Sequence, residues 1–109
     1  MSAGSLNGLR VIDASRVLAG PYCGQALGDL GADVIKIEPP DGDETRTFGP
    51  AVNAGGAAYF QALNRNKRGM RLDLNLPAAR EVLWRLLEDA DVLIENFKAS
   101  TLRLSLIHI

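Results

Sequence analysis

The sequence is short of the residues that most often carry chemistry. Among its 109 residues are one cysteine, Cys23, and one histidine, His108. A single cysteine excludes an intramolecular disulfide and every multi-cysteine zinc pattern. No Ser–His–Asp or Cys–His set can be assembled, and no metal-ligand spacing occurs. A surplus of positive charge is missing too. Lys+Arg is 12 against 13 for Asp+Glu, a formal net charge of −1, so the electrostatic footprint of a nucleic-acid binder is absent. No apolar run approaches the ~20 residues of a membrane helix. Met1-Ser2-Ala3-Gly4-Ser5 has neither the basic nor the apolar region of a secretory signal. With the sparse cysteine, these absences predict a cytoplasmic protein that is neither membrane-bound nor engaged with nucleic acid. G-x-G-x-x-G and G-x-x-x-x-G-K-[ST] are both lacking, which removes the dinucleotide fingerprint and the P-loop.

What is present is a globular composition, 47% hydrophobic and 23% charged, with length for one domain. Short β-branched runs alternate with helical stretches. Leu9–Asp13, Asp33–Glu38, Gly69–Asp73 and Asp91–Glu95 read as strands, the third more polar and suited to a sheet edge. Gly20-Pro21 opens a helix with Pro21 at its first position, and Gly31 is placed to stop it. Cys23, Ala26, Leu27 and Leu30 recur there at helical spacing. Asp41–Gly56 reads as a long loop and Ala57–Leu63 as a short helix. Pro77–Ala90 carries Val82, Leu83, Leu86, Leu87 and Ala90 on one stripe, with Asn75 the better capping residue beside Leu76. Ser100 is suited to cap a further helix. The order predicts an α/β fold, a Rossmann-like parallel sheet with flanking helices.

In such sheets ligands bind beyond the carboxyl ends of the strands. That rule selects Ala14–Gly20, Pro39–Asp43, Leu72–Asn75 and Asn96–Lys98. Arg16 precedes a helix N-terminus, a favourable place for a phosphate; a surface arginine in a turn explains it equally. Gly20, Gly24 and Gly28 fall one per helical turn, for close approach of a cofactor or for plain packing. Asn64-Arg65-Asn66-Lys67-Arg68 reads as a solvated basic turn. Phe97 and Lys98 suit a stacked purine and a phosphate, or a buried ring beside an exposed cation. Asp13, Glu38, Asp73 and Glu95 close the strands, and Cys23 reads as a small buried hydrophobe.

Several segments together resemble a known family. Leu9-Arg10-Val11-Ile12-Asp13, Val17-Leu18-Ala19-Gly20-Pro21 and the run Leu27–Pro40 (LGDLGADVIKIEPP) are similar to the N-terminus of class III CoA-transferases. This is the CaiB/BaiF type, which includes formyl-CoA transferase and α-methylacyl-CoA racemase. Asn64–Leu74 (NRNKRGMRLDL) and Ala90–Phe97 (ADVLIENF) match two further signatures, so the likeness covers nearly all of residues 6–103 in order.

The resemblance implies the incomplete N-terminal part of a larger, interlocked homodimeric fold, with residues 1–103 in its large domain. It implies coenzyme A and acyl-CoA as substrates, with a carboxylic acid as acceptor and no permanently bound cofactor. An aspartate attacks the acyl-CoA carbonyl to give a mixed anhydride, and CoA returns through a glutamyl- or aspartyl-type thioester. None of Asp13, Asp29, Asp33, Asp41, Asp43, Asp73, Asp89 or Asp91 matches that aspartate's context, so no catalytic residue is assigned. CoA contacts carry over to Arg16, Val17, Leu18 and Ala19, to Leu72, Asp73, Leu74 and Asn75, and to Asn96, Phe97 and Lys98. Pro39 stands where many members have a phosphate-binding arginine. Arg16 and Leu18 replace the histidine and glutamine of formyl-CoA transferases. Leu104–Ile109 (LSLIHI) matches the translation of a sequencing-library adapter and is expected to be a tail foreign to the fold. The alternatives are an acyl-CoA racemase of the same family and a stand-alone Rossmann-like nucleotide-binding module.

Overall fold

The computed structural model describes residues 4–53 and 56–98; the expected Ser100 cap and the 104–109 tail lie outside them. Strands β1 (Arg10–Asp13), β2 (Asp33–Glu38), β5 (Lys67–Arg71) and β6 (Val92–Ile94) form one sheet in the order β5-β2-β1-β6. Every pairing in it is parallel, with Val11 opposite both Val34 and Val92. Helix α1 (Ala19–Asp29) connects β1 to β2, and α3 (Pro77–Glu88) connects β5 to β6. The chain therefore runs outward from β1 to β5 and then returns to the other side of β1. That reversal between β1 and β6 is a topological switch point, where loops diverge and leave a crevice.

Side chains alternate across the sheet, so each strand feeds two cores. Ile12, Ala14 and Ile37 pack with Leu83 of α3, and Val11, Ala32 and Val34 pack with Leu27 of α1. At about 25 cal/mol per Å2 of apolar surface removed from water, burial of these residues dominates the favourable side of folding. On α3 the inward stripe is Ala79, Leu83, Leu86 and Leu87, with Ala90 packing just beyond the helix end, whereas Val82 faces solvent. Asn75 does not cap this helix. Leu76 holds the N-cap position without a side-chain bond, and the Asn75 amide donates to Asp73 Oδ1 at 3.1 Å.

Helix α1 departs further from its expected pattern. It begins at Ala19, so Pro21 is its third residue, still in the first turn where no N–H is needed. Cys23, Ala26 and Leu30 face outward, correcting both the apolar stripe and the reading of Cys23 as buried. The inward face is Pro21, Gly24, Gln25 and Gly28. A Cβ on Gly24 would sit 2.6 Å from Asp13 Oδ2, and one on Gly28 would sit 3.0 Å from the Asn66 carbonyl oxygen. Close packing, with no room for a cofactor, explains the glycine spacing. Gly31, at φ +105°, ends the helix: its N–H bonds the Gly28 carbonyl and that of Ala32 bonds the Leu27 carbonyl.

The segment read as a long loop is built. A 3-10 turn (Glu44–Thr47) is followed by β3 (Ala51–Asn53) and β4 (Gly56–Ala57), an antiparallel pair, and then by α2 (Ala58–Leu63). Phe48 packs edge-on against Tyr59 at 5.4 Å, and the Arg46 guanidinium lies 3.8 Å from the centre of the Phe60 ring. The edge strand starts two residues earlier than expected, at Lys67.

Gly24→Ala separates propensity from packing. Alanine in mid-helix gains about 0.5–1 kcal/mol, but the new methyl meets a carboxylate that cannot move. We expect a net loss of about 1–3 kcal/mol in urea unfolding.

Candidate functional site

The carboxyl half of the sheet on the α1 side is ionic and buried. Lys67 Nζ donates to Asp13 Oδ2, the Pro21 carbonyl and Asn64 Oδ1, each at 2.8 Å. The Lys67 and Asp13 side chains are almost wholly removed from solvent, so the reading of residues 64–68 as a solvated turn fails at Lys67, while Arg65, Asn66 and Arg68 are exposed. The other Asp13 oxygen accepts the Ser15 N–H at 3.0 Å and the Ser15 hydroxyl. Lys36, equally buried, donates to the Ser15 carbonyl at 3.1 Å and to Asp43 Oδ2 at 2.9 Å. Asp43 Oδ1 accepts from the N–H and the hydroxyl of Thr45, at 2.9 and 2.8 Å. Glu38 takes the Arg46 guanidinium in a fork at 2.7 and 2.8 Å and the Asp43 N–H at 2.8 Å.

Titration follows from these contacts. Burial pushes the Glu38 and Asp43 carboxyls up. The bonds from Arg46 and the Asp43 amide to Glu38, and from Thr45 and Lys36 to Asp43, outweigh it, so both end below their ordinary range. Burial lowers the Lys67 ammonium, and Asp13 restores only part of that.

This network fixes the strand end that leads to the crevice. Ser15 is held from two sides, and the next residue is held from a third. Asn96 Oδ1 accepts the Arg16 N–H at 3.2 Å, while Asn96 Nδ2 donates to the Arg16 carbonyl at 2.8 Å. Val17 follows at φ +75°. This left-handed conformation costs an L-residue about 1–2 kcal/mol and is unusual for a β-branched one.

A cavity of about 240 Å3 opens at this point, lined by Ala14, Arg16, Ile37, Glu38, Pro39, Pro40, Leu72, Asp73, Leu74, Asn75 and Phe97. Six of the eleven expected contacts therefore meet: Arg16, Leu72, Asp73, Leu74, Asn75 and Phe97. Val17, Leu18 and Ala19 lead into α1, Asn96 is engaged with the Arg16 main chain, and Lys98 is not among the lining residues. Ala14, Ile37, Glu38, Pro39 and Pro40 also line the cavity and were not among the expected contacts, although the strand-end rule had selected Ala14, Pro39 and Pro40. Among the described residues, Arg16 and Lys98 are the two cations whose side chains have neither an ion pair nor a hydrogen bond. All other described Lys and Arg side chains have a partner, down to Arg71 on the Pro40 carbonyl and Arg80 on the Leu74 carbonyl. Among the described residues no group of three or more His, Cys, Asp or Glu could hold a metal ion, and no helix is long and apolar enough to cross a membrane.

A family model described as CoA-transferase family III matches residues 6–107. The chain belongs to CoA-transferase family III. A succinyl-CoA:mesaconate CoA-transferase of Haloarcula hispanica is 50% identical over 103 residues, covering 91% of this chain and 26% of the relative. A succinate–glutarate CoA-transferase of Agrobacterium fabrum is 52% identical over 100 residues, covering 85% and 25%. A solved CaiB/BaiF family protein from Brucella suis superposes with a TM-score of 0.89 at 50% identity, over 94% of this chain and 28% of that one. The chain thus spans about a quarter of the length of the curated relatives it matches. Over that span, the parallel sheet with flanking helices is the N-terminal part of the CaiB/BaiF fold.

Two outcomes test the ionic network of this family III segment. Lys67→Met leaves Asp13 buried without its cation and is expected to lose about 3–5 kcal/mol in urea unfolding. Glu38 and Asp43 are more acidic folded than at their ordinary values of 4.5 and 3.8. Their contribution to stability is therefore complete above those values and is lost as the pH falls through the lowered ones. Urea midpoints measured from about pH 7 down to about pH 3 should fall below pH 4.5, and less steeply in Glu38→Gln.

Proposed function

We propose that this chain is the N-terminal part of a cytoplasmic, homodimeric CoA-transferase that moves coenzyme A between an acyl-CoA and a carboxylic acid. The observation that carries this reading is the unpartnered Arg16 at the rim of a strand-end cavity, in a chain whose matched relatives bear CoA-transferase names. An arginine without a protein anion is available for a phosphate, and charge-assisted bonds of this kind are the stronger ones. Ile37, Leu72, Leu74 and Phe97 supply an apolar wall beside it. A ligand with an apolar arm and an anionic nucleotide end matches that pairing, and coenzyme A is such a molecule.

In this reading Arg16 meets the CoA phosphates. Val17, Leu18 and Ala19 lie along the start of α1, whose N-terminus has no side-chain cap. Leu72, Asp73, Leu74 and Asn75 form the floor, Phe97 a stacking face and Lys98 an outer cation. The family's aspartyl anhydride and thioester steps are assigned to a residue outside this sequence. That assignment is supported by Asp13 and Asp43 being locked to Lys67 and Lys36, and by Asp29 and Asp33 being paired with arginines. The names of the relatives favour transfer over racemisation, and a dicarboxylic acid as acceptor.

Calorimetry on the full-length protein tests the reading. Coenzyme A should bind, and Arg16→Ala should weaken it about tenfold, the worth of one hydrogen bond to a charged group. Its salt dependence should become shallower at the same time. Absence of measurable binding by the unmodified protein would sink the proposal.

A further inference from the structure

Asn96 stands among the residues expected to touch the ligand, yet its side chain is already committed. The carboxamide oxygen can accept two hydrogen bonds and the NH2 group can donate two, and one of each goes to the Arg16 main chain. The oxygen takes the Arg16 N–H at 3.2 Å, and the nitrogen donates to the Arg16 carbonyl at 2.8 Å. The two residues are 80 apart in sequence. They sit on the loops leaving β6 and β1, the neighbouring strands between which the topology reverses. The carboxamide is therefore a brace across the crevice, an exposed side chain that closes on main chain at both of its polar atoms.

The residues around Arg16 make that brace consequential. Ser15 is fixed by Asp13 and Lys36, so the chain enters Arg16 with a set direction. It leaves through Val17 at φ +75°, a conformation that a valine in an untethered loop would abandon. The Arg16 side chain has no partner to anchor it. Its direction into the cavity is consequently set by its own backbone, and Asn96 holds both polar groups of that backbone.

We infer that Asn96 is a positioning residue that orients Arg16 for an anionic ligand across the β1–β6 crevice, and is not itself a ligand contact. The inference rests on the reading of the cavity as a CoA site, so its test has an arm that does not need the ligand. In the full-length protein, Asn96→Ala should accelerate hydrogen–deuterium exchange of the peptide spanning residues 14–19 about tenfold or more. Unchanged exchange there overturns the inference whether or not coenzyme A binds. The second arm is a double-mutant cycle read by coenzyme A affinity. Asn96→Ala and Arg16→Ala should each weaken binding about tenfold, and Asn96→Ala should add less than about twofold once Arg16 is alanine. Additive losses would mean that Asn96 touches the ligand directly, and the inference fails. An unmodified protein that does not bind coenzyme A refutes the proposed function, and the exchange arm alone then decides the role of Asn96.

Discussion

Two buried ion pairs and a half-buried third, on the α1 side of the sheet, set the terms for the rest of the molecule. Lys67 with Asp13 ties the start of β5 to the end of β1, and Lys36 with Asp43 and Glu38 with Arg46 tie β2 to the segment that follows it. Taking such groups out of water costs several kcal/mol per ion, and their attraction recovers this only when the remaining polar atoms are also satisfied. Among the described residues, no buried side-chain nitrogen or oxygen lacks a partner. What a network of this kind supplies is geometry. Each charge fixes its counterpart, and a displaced loop would strand one of them.

Two features that look unrelated follow from that constraint. The first is the glycine face of α1. The Asp13 carboxylate and the Lys67 ammonium occupy the space beneath the helix, so only residues without a Cβ let it approach β1. The second is the order of the segment between β2 and α2. It has few apolar contacts of its own, yet Asp43 and Arg46 bind it to Lys36 and Glu38 inside the sheet. A stretch this rich in glycine and proline would otherwise pay a large entropic cost to adopt one path.

The parallel strands, both long helices and the edge position of β5 were legible in the sequence, because hydrophobic periodicity and punctuation by Gly31, Pro39 and Pro77 report them directly. The ionic network was not, although a trace of it was visible. Lys36 and Glu38 share the phase of Val34 in a strand buried on both faces, so their charges had to point inward. The readings of Cys23, Ala26 and Leu30 failed for the converse reason. Hydrophobic periodicity assumes that a helix is held by its apolar side chains, whereas α1 is held by the absence of side chains. The 3-10 turn capped by Asp43 was read as loop, because the carboxylate that caps it is held by Lys36, a contact that no local pattern supplies. At the site, strand-end position selected loops that border the cavity and could not tell a residue that faces it from one that bonds neighbouring main chain. Asn96 and Arg16 differ only in where their polar atoms close, and that is a tertiary fact.

The two faces of the sheet meet at the cavity, which explains its mixed character. On the α3 side the core of Ile12, Ile37 and Leu83 continues outward through Leu72, Leu74 and Phe97, which line the cavity. On the α1 side the charges are matched pair by pair until Arg16, where the pairing stops. An apolar wall beside one uncompensated cation is what remains when both patterns run out at the same strand ends. Asp13 and Asp43 are claimed by Lys67 and Lys36, Glu38 by Arg46, and Asp73 by the Asn75 N–H, and none of these carboxylates pairs with Arg16. The preference proposed here for an anionic, partly apolar ligand thus rests on the fold's own charge arrangement, and Arg16 is the point at which that arrangement is exposed.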